Sequence, residues 1–325
     1  MTLTRPRFWK ALALLLLTAG AVLPASAQPY PTRPLRLVVP YPAGGGSDVF
    51  ARTVSPAMAA ELGQPIVIDN RPGAATAIGA DMVAKAAPDG YTVLLGDSAT
   101  YAVNPSLYPK LPYDPQENLS PVSLTARFAL VLVVGNATPV RTLADLAALA
   151  RRSDLSYASP GTGSPHHLAM EMLRQGLKMP MTHVPYKGSA PATNDLLGGV
   201  VPVMFLDLAS ASQHIRAGKL RAIAVSAPRR LKDWPDVPTI AESGLPGYEA
   251  WAWQGLSVPA GTPAEVVNRL QSAYAKAAAD PTNRQRVAEQ GGEILTSSPA
   301  DMAAFMRSER QRWATLIRDA NIRVE

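Results

Sequence analysis

Cysteine is absent from the 325-residue chain. That removes disulfide frameworks, thiol catalysis and cysteine-based metal sites, and a chain of this length can bury a core without such staples. Aromatic residues make up only 6%. Nowhere do five lysines or arginines cluster, and no aromatic side chains interleave with basic ones, which argues against nucleic acid as a partner. Past the N-terminus, no apolar run is long enough to cross a bilayer. Several catalytic signatures are missing too: there is no G-x-x-x-x-G-K-[ST] phosphate loop, no G-x-S-x-G elbow, no S-x-x-K and no H-E-x-x-H.

What is present begins with a leader. "RPRFWK" carries Arg5, Arg7 and Lys10, "ALALLLLTAGAVL" is a short apolar core, and "ASA" puts small residues at −3 and −1 before Gln28. This predicts a signal peptide over 1–27, cleavage after Ala27, and an exported mature protein. The competing reading, an uncleaved anchor, needs about 20 apolar residues, and Pro24 interrupts the stretch. The leader holds three basic and no acidic residues, so the formal charge of +6 falls to +3 on its removal.

The mature chain alternates short Val/Ile/Leu-rich runs with Ala-rich segments of helical period. "LRLVVPY", "PIVIDN" and "YTVLLGD" read as buried strands, and "SDVFARTVSPAMAAEL" and "TAIGADMVAKAA" as amphipathic helices between them. Such alternation predicts βαβ units around mostly parallel sheets. Two Pro-rich irregular stretches, "NPSLYPKLPYDPQENLSP" and "RRLKDWPDVPTIAESGLPGYEA", each lead into an apolar strand, "FALVLVVG" and "WAWQGLSVPAG". These strands are read as crossovers between two α/β lobes, one spanning 28–127 plus 252–325 and the other, inserted, 128–251. One continuous sheet is the alternative.

Two loops run from a strand through Gly, Ser and Pro into a helix: "VVPYPAGGGSDVFAR" and "YASPGTGSPHH". The first does not fit a nucleotide loop. No lysine follows Gly46, and Gly44, Gly45 and Gly46 are adjacent where a dinucleotide fingerprint needs G-x-G-x-x-G. What a glycine-lined helix start does offer is backbone N–H groups at the positive end of the helix dipole, which suit a carboxylate. Ser47 or Asp48 is expected to cap the first helix. The second loop offers Ser159, Gly161, Thr162, Gly163 and Ser164, and "DSATYAVNP" adds the hydroxyls of Ser98, Thr100 and Tyr101. Four histidines, His166, His167, His183 and His214, leave a Ser-His hydrolase arithmetically open, with Ser47 or Ser164 as nucleophile. His167 and Glu171, at i and i+4, read as a solvated helix pair and not a metal site.

The order of these motifs, continued by "IDNRPGAATAIGADMVAKAAPDGYTVLLGDSATYAVNPSLYPKLPYDP", "HVPYKGSAPATNDLLGG" and "AGKLRAIAVSAPRRLKDWPDVPTIAESGLPGYEAWAWQGLSVPAGTP", resembles the extracytoplasmic substrate receptors of tripartite tricarboxylate transporters, the Bug family, from about Tyr30 to Val324. The resemblance implies a two-lobe periplasmic binding-protein fold of the type II kind with a ligand cleft between lobes. It further implies a monomeric, cofactor-free, metal-free and non-enzymatic receptor, which closes on a small carboxylic acid and delivers it to a permease of one large and one small subunit. A dicarboxylate, an amino acid or an aromatic acid such as terephthalate fits such a site, and a receptor feeding a sensor kinase shares the same signature. Carried onto this chain, the implied contacts are Tyr41, Ala43, Gly44, Gly45 and Ser47 in the first loop, with Ser98 and Thr100 after the third strand. From the inserted lobe they are Ser159, Gly161, Thr162, Gly163, Ser164, Tyr186 and Asp207. Asp207 is implied as acceptor for the far end of the ligand, with a helix cap as its plain alternative.

Overall fold

A computed structural model describes residues 30–324, and the leader lies outside the described residues. The chain is mixed α/β. Strand β1 (Leu35–Val39) sits between β2 (Ile66–Asn70) and β3 (Thr92–Asp97), parallel to both. Its LRLVV run is buried apart from Arg36, as a central strand covered on both faces requires.

Helix α1 (Gly46–Leu62) follows β1 and buries Phe50, Ala51, Val54, Met58 and Leu62. These recur at spacings of one, three and four and form one stripe. It packs against Leu270, Ala273 and Tyr274 of α8 (Ala264–Ala279). Gly63 ends α1 in the left-handed region at φ +73 and returns its N–H to Ala59 O at 2.9 Å. Helix α2 (Ala77–Ala84) connects β2 to β3, and the short α3 (Asn104–Leu107) forms inside the stretch expected to be irregular.

Strand β4 (Leu119–Gly135) is 17 residues long and belongs to both lobes. Its first part pairs antiparallel with β9 (Trp251–Pro259) as far as Ala129↔Trp251, and its second part pairs antiparallel with β7 (Val203–Asp207) from Leu130↔Asp207. The change of partner falls between Ala129 and Leu130. In the second lobe, β5 (Leu155–Ser159) lies parallel to β6 (Met181–Pro185) and β7, and β8 (Leu220–Val225) pairs antiparallel with β4. Helices α4 (Leu143–Ala150), α5 (Pro165–Gly176), α6 (Ser189–Leu197) and α7 (Leu208–Arg216) flank it. The chain then returns through β9, α8, α9 (Pro281–Glu289), β10 (Gly292–Ile294) and α10 (Pro299–Asp319).

The sheets are mixed and not mostly parallel. The strands of the βαβ runs are parallel, but β4, β9 and β10 in one lobe and β4 with β7 and β8 in the other run antiparallel. The cause is the crossovers: a strand that enters from the other lobe runs against the strands already there. Ser226, fully buried, joins the two crossing segments. Its Oγ accepts from Leu130 N at 2.8 Å and donates to Ala250 O at 2.6 Å, while its N–H donates to Leu130 O at 2.8 Å.

Candidate functional site

The ends of β1 and β3 meet through Tyr41, whose phenol donates to Asp97 Oδ2 at 2.5 Å. Asp97 Oδ1 accepts from the N–H and hydroxyl of Thr100 at 3.0 and 2.9 Å. Burial pushes the Asp97 carboxyl up despite these donors, and burial followed by the Asp97 charge pushes the Tyr41 phenol well up. The charge of Asp207, at the end of β7, also acts to raise that phenol.

The first loop is braced from behind. Gly45, at φ −75 and ψ 166, is the N-cap of α1, and no side chain caps it, which corrects the expectation for Ser47 and Asp48. Asp48 is buried, with Oδ2 accepting from Gly44 N at 2.8 Å and from Arg52 Nε at 2.9 Å, and Oδ1 accepting from Asn70 Nδ2 at 3.1 Å. Those donors, Arg52 foremost, hold its carboxyl below the usual range. Gly44 stands at φ +82, a conformation that side-chain-bearing residues resist. Ser47 Oγ accepts from Gln254 Nε2 at 2.7 Å. The first N–H satisfied within α1 is that of Val49, by Gly45 O at 2.9 Å. The N–H groups of Gly46, Ser47 and Asp48 therefore have no partner among the described residues, at the positive helix end beside an exposed Ala43-Gly44-Gly45 rim. Ser98 Oγ and Gln254 Oε1 are buried without a partner among the described residues. Tyr101 is core: it stacks on Trp253 with centroids 5.9 Å apart, and its hydroxyl lies 3.0 Å from Gly255 O.

The second loop resembles the first in outline only, because its N–H groups are mostly consumed. Gly161 N donates to Ser159 Oγ at 3.2 Å, Gly163 N to His167 Nδ1 at 3.0 Å, and Ser164 N to Gly161 O at 3.2 Å. Ser164 Oγ caps α5 by accepting from His167 N at 3.2 Å. Thr162, half-buried, keeps its side chain free of such a bond. The Tyr186 hydroxyl donates to Asp195 Oδ2 at 2.7 Å, so its polar tip is engaged within its own lobe. Gly163 comes close to the other lobe: a Cβ there would lie 2.3 Å from Leu107 Cδ2.

The structure changes the reading of the histidines. His167 and Glu171 are buried, not solvated. Glu171 accepts from Tyr157 at 2.6 Å and pairs with Arg174 through both of its oxygens, at 2.9 and 2.7 Å. His167 stacks on His183 with ring centroids 3.8 Å apart, and burial drives both down, to about 3 and about 4. A Ser-His pair does exist, Ser159 Oγ to His183 Nε2 at 2.7 Å, but Ser159 is wholly buried, while the expected nucleophiles Ser47 and Ser164 are bonded to Gln254 and to backbone.

Residues 50–322 match the tripartite tricarboxylate transporter family receptor profile. The chain belongs to that family. BugT of Bordetella pertussis is 37% identical over 322 residues, covering 98% of this chain and 99% of the relative. Among solved structures, Rpa4515 of R. palustris with adipate gives a TM-score of 0.84 at 36% identity, over 90% of this chain and 99% of that one. MatC of Rhodopseudomonas palustris with bound malate gives 0.80 at 34%, over 89% and 100%. The family's members are periplasmic receptors of small carboxylates, binding proteins and not enzymes. No helix among the described residues is long and apolar enough to cross a membrane.

Asn70, Asp97, Gln254, His166 and His183 were not foreseen as parts of this cleft. Asp97 directly precedes Ser98 at a strand end, a position that flags it; Asn70, Gln254, His166 and His183 stand inside the quoted motifs, but nothing in those motifs says which side chains they meet. A groove of about 540 Å³ between Arg127, Trp234, Trp251 and α9 contains none of the expected positions.

Proposed function

We propose that the chain is a periplasmic solute receptor that captures a small carboxylic acid between its lobes and hands it to the membrane subunits of a tripartite transporter, one large and one small. The observation that carries this reading is the row of N–H groups on Gly46, Ser47 and Asp48 without a partner among the described residues, at a helix start that begins on an exposed, side-chain-poor rim. An anion placed there is stabilised by hydrogen bonds and by the helix dipole without a bound metal or an arginine clamp. The expected contacts from Tyr41 to Asp207 supply the walls.

Closure follows from contact with both lobes: a ligand touching the first loop and the β5 and β7 ends favours the closed form by its differential affinity for it. The Ala129–Leu130 and Ala250–Trp251 segments are the hinge in this reading. Export by cleavage after Ala27 and a monomeric mature protein belong to the same proposal. A mature N-terminus at Gln28 and a monomer in sedimentation check them.

The test is a thermal-shift screen of carboxylic acids covering the adipate and malate types bound by the relatives, amino acids and aromatic acids. An acid at 100 times its dissociation constant adds roughly 2.7 kcal/mol of stability. A panel without one stabilising acid overturns the proposal.

A further inference from the structure

Gln254 lies on β9 near the change of strand partner at Trp251, opposite Asp97 in the ladder between β3 and β9. It is 6% exposed. A buried primary amide needs partners for both its N–H groups and its carbonyl, and this one lacks them. Among the described residues its side chain makes a single hydrogen bond, from Nε2 to Ser47 Oγ at 2.7 Å, while Oε1 is buried without a partner. The fold therefore carries a half-satisfied polar group where an apolar side chain of similar length would cost less. What the amide holds is the first loop.

The direction of that bond decides what Ser47 can do. A hydroxyl has one proton, and Ser47 Oγ accepts from Gln254 while making no other hydrogen bond among the described residues. Its proton is left for an acceptor in the cleft. Further along α1 the hydroxyls turn inward: Thr53 Oγ1 donates to Val49 O at 2.9 Å and Ser55 Oγ to Ala51 O at 2.6 Å, the ordinary use of such side chains in a helix. Ser47 stands instead in the first turn, half-buried, in the row whose N–H groups have no partner. The neighbouring Asp48 carboxylate, which could compete for the proton, is occupied by Gly44 N, Arg52 and Asn70.

We infer that Gln254 is a positioning residue of the first jaw: its amide N–H fixes the Ser47 hydroxyl as a donor, so that a side-chain proton joins the backbone N–H row against one carboxylate. This rests on the carboxylate-receptor reading. The hydroxyl then adds a charge-assisted hydrogen bond to the anion. The same role accounts for the unpaired Oε1, because the amide serves the site at a cost to the fold.

The test is a double-mutant cycle on the mature protein, read by thermal melting and by calorimetry with adipate, malate, glutamate and terephthalate as probes. With the probe that binds the wild type most tightly, Ser47→Ala weakens binding about ten-fold and Gln254→Met about five-fold. The double variant stays within about two-fold of Ser47→Ala, since Gln254 acts only through the hydroxyl. Gln254→Met melts no lower than the wild type, because an apolar group replaces an unsatisfied amide. A structural role in β9 would weaken binding equally with and without the hydroxyl. Losses that multiply in the double variant therefore overturn the inference, as does wild-type affinity in either single variant, and both leave the carboxylate reading intact. Should Gln254→Met fail to fold, Gln254→Leu takes its place in the cycle, and failure of both makes the amide structural and overturns the inference. Binding of none of the four probes by the wild type sinks the carboxylate reading and this inference with it.

Discussion

The Tyr41 phenol and the Asp97 carboxylate share a 2.5 Å hydrogen bond that ties the end of β1 to the end of β3 beneath the first loop. Tyr41→Phe leaves a buried carboxylate short of a donor, at a cost of about 1–3 kcal/mol. The substitution also raises Asp97 further, since the lost bond was one of the influences lowering it. A carboxyl raised in the folded state contributes stability that is complete below its unfolded value and is lost as pH rises through the folded one. The variant's deficit in urea unfolding should therefore be smaller at pH 4 than at pH 7, and a deficit independent of pH contradicts the assignment.

The stacked pair His167 and His183 has the opposite sign. Both are held down, to about 3 and about 4, so the unfolded chain binds more protons below the ordinary histidine range and stability falls as pH drops from about 6.5 toward those values. Between pH 7 and pH 5 each contributes a loss of about 1–2 kcal/mol, the lower figure for the half-buried His183. Asp97 works against this loss in the same window. Replacing His167 by Gln should remove about half of the histidine loss in denaturant melts; an unchanged pH slope rules out the stack as its source.

Gly163 and Leu107 meet across the cleft. A Cβ at Gly163 would lie 2.3 Å from Leu107 Cδ2, and its φ of +79 is one that alanine adopts with strain. Gly163→Ala should weaken binding of a ligand from the acid screen about ten-fold by holding the lobes apart. Adding Leu107→Ala should recover part of it, the steric share but not the strain. No recovery places the whole effect in the loop.

Ser226 binds the two crossing segments together, accepting from Leu130 N and donating to Ala250 O. Ser226→Ala leaves a buried N–H and carbonyl unpaired and should cost about 1–3 kcal/mol. If these segments are the hinge, scattering in solution should show a broader distribution of lobe separations in this variant; a stability loss with unchanged scattering makes Ser226 a core residue only.

Much of this arrangement is visible in the sequence, for physical reasons. Buried strands read as apolar runs, so β1 and β3 stand out, and the glycine-rich exits of β1 and β5 mark the two jaws. The long β4 is visible only in its second half, where both faces are covered. Its first half alternates Ser120, Ser123, Thr125 and Arg127 with apolar residues and holds Pro121, and it reads as loop. The braces are hidden because they join distant positions: Gln254 to Ser47, Ser226 to Leu130, His183 to Ser159. The equivalence expected of the two glycine loops fails on hydrogen bonding, which spacing does not encode. In the first loop Asp48 and the Pro42 carbonyl take up two N–H groups, those of Gly44 and Gly45; in the second, Ser159, His167 and a carbonyl take up three.

The central claim is that the first loop holds a carboxylate by its backbone, and Gly45→Val tests it most directly. Gly45 has φ −75, and a Cβ would meet only Pro42 O at an ordinary 3.4 Å, so the fold survives while the branched side chain obstructs approach to the N–H groups of Gly46 and Ser47. Titration calorimetry with the tightest acid of the screen should give a clear isotherm for the wild type and none for Gly45→Val at an equal melting temperature. An unchanged dissociation constant in the variant contradicts the account.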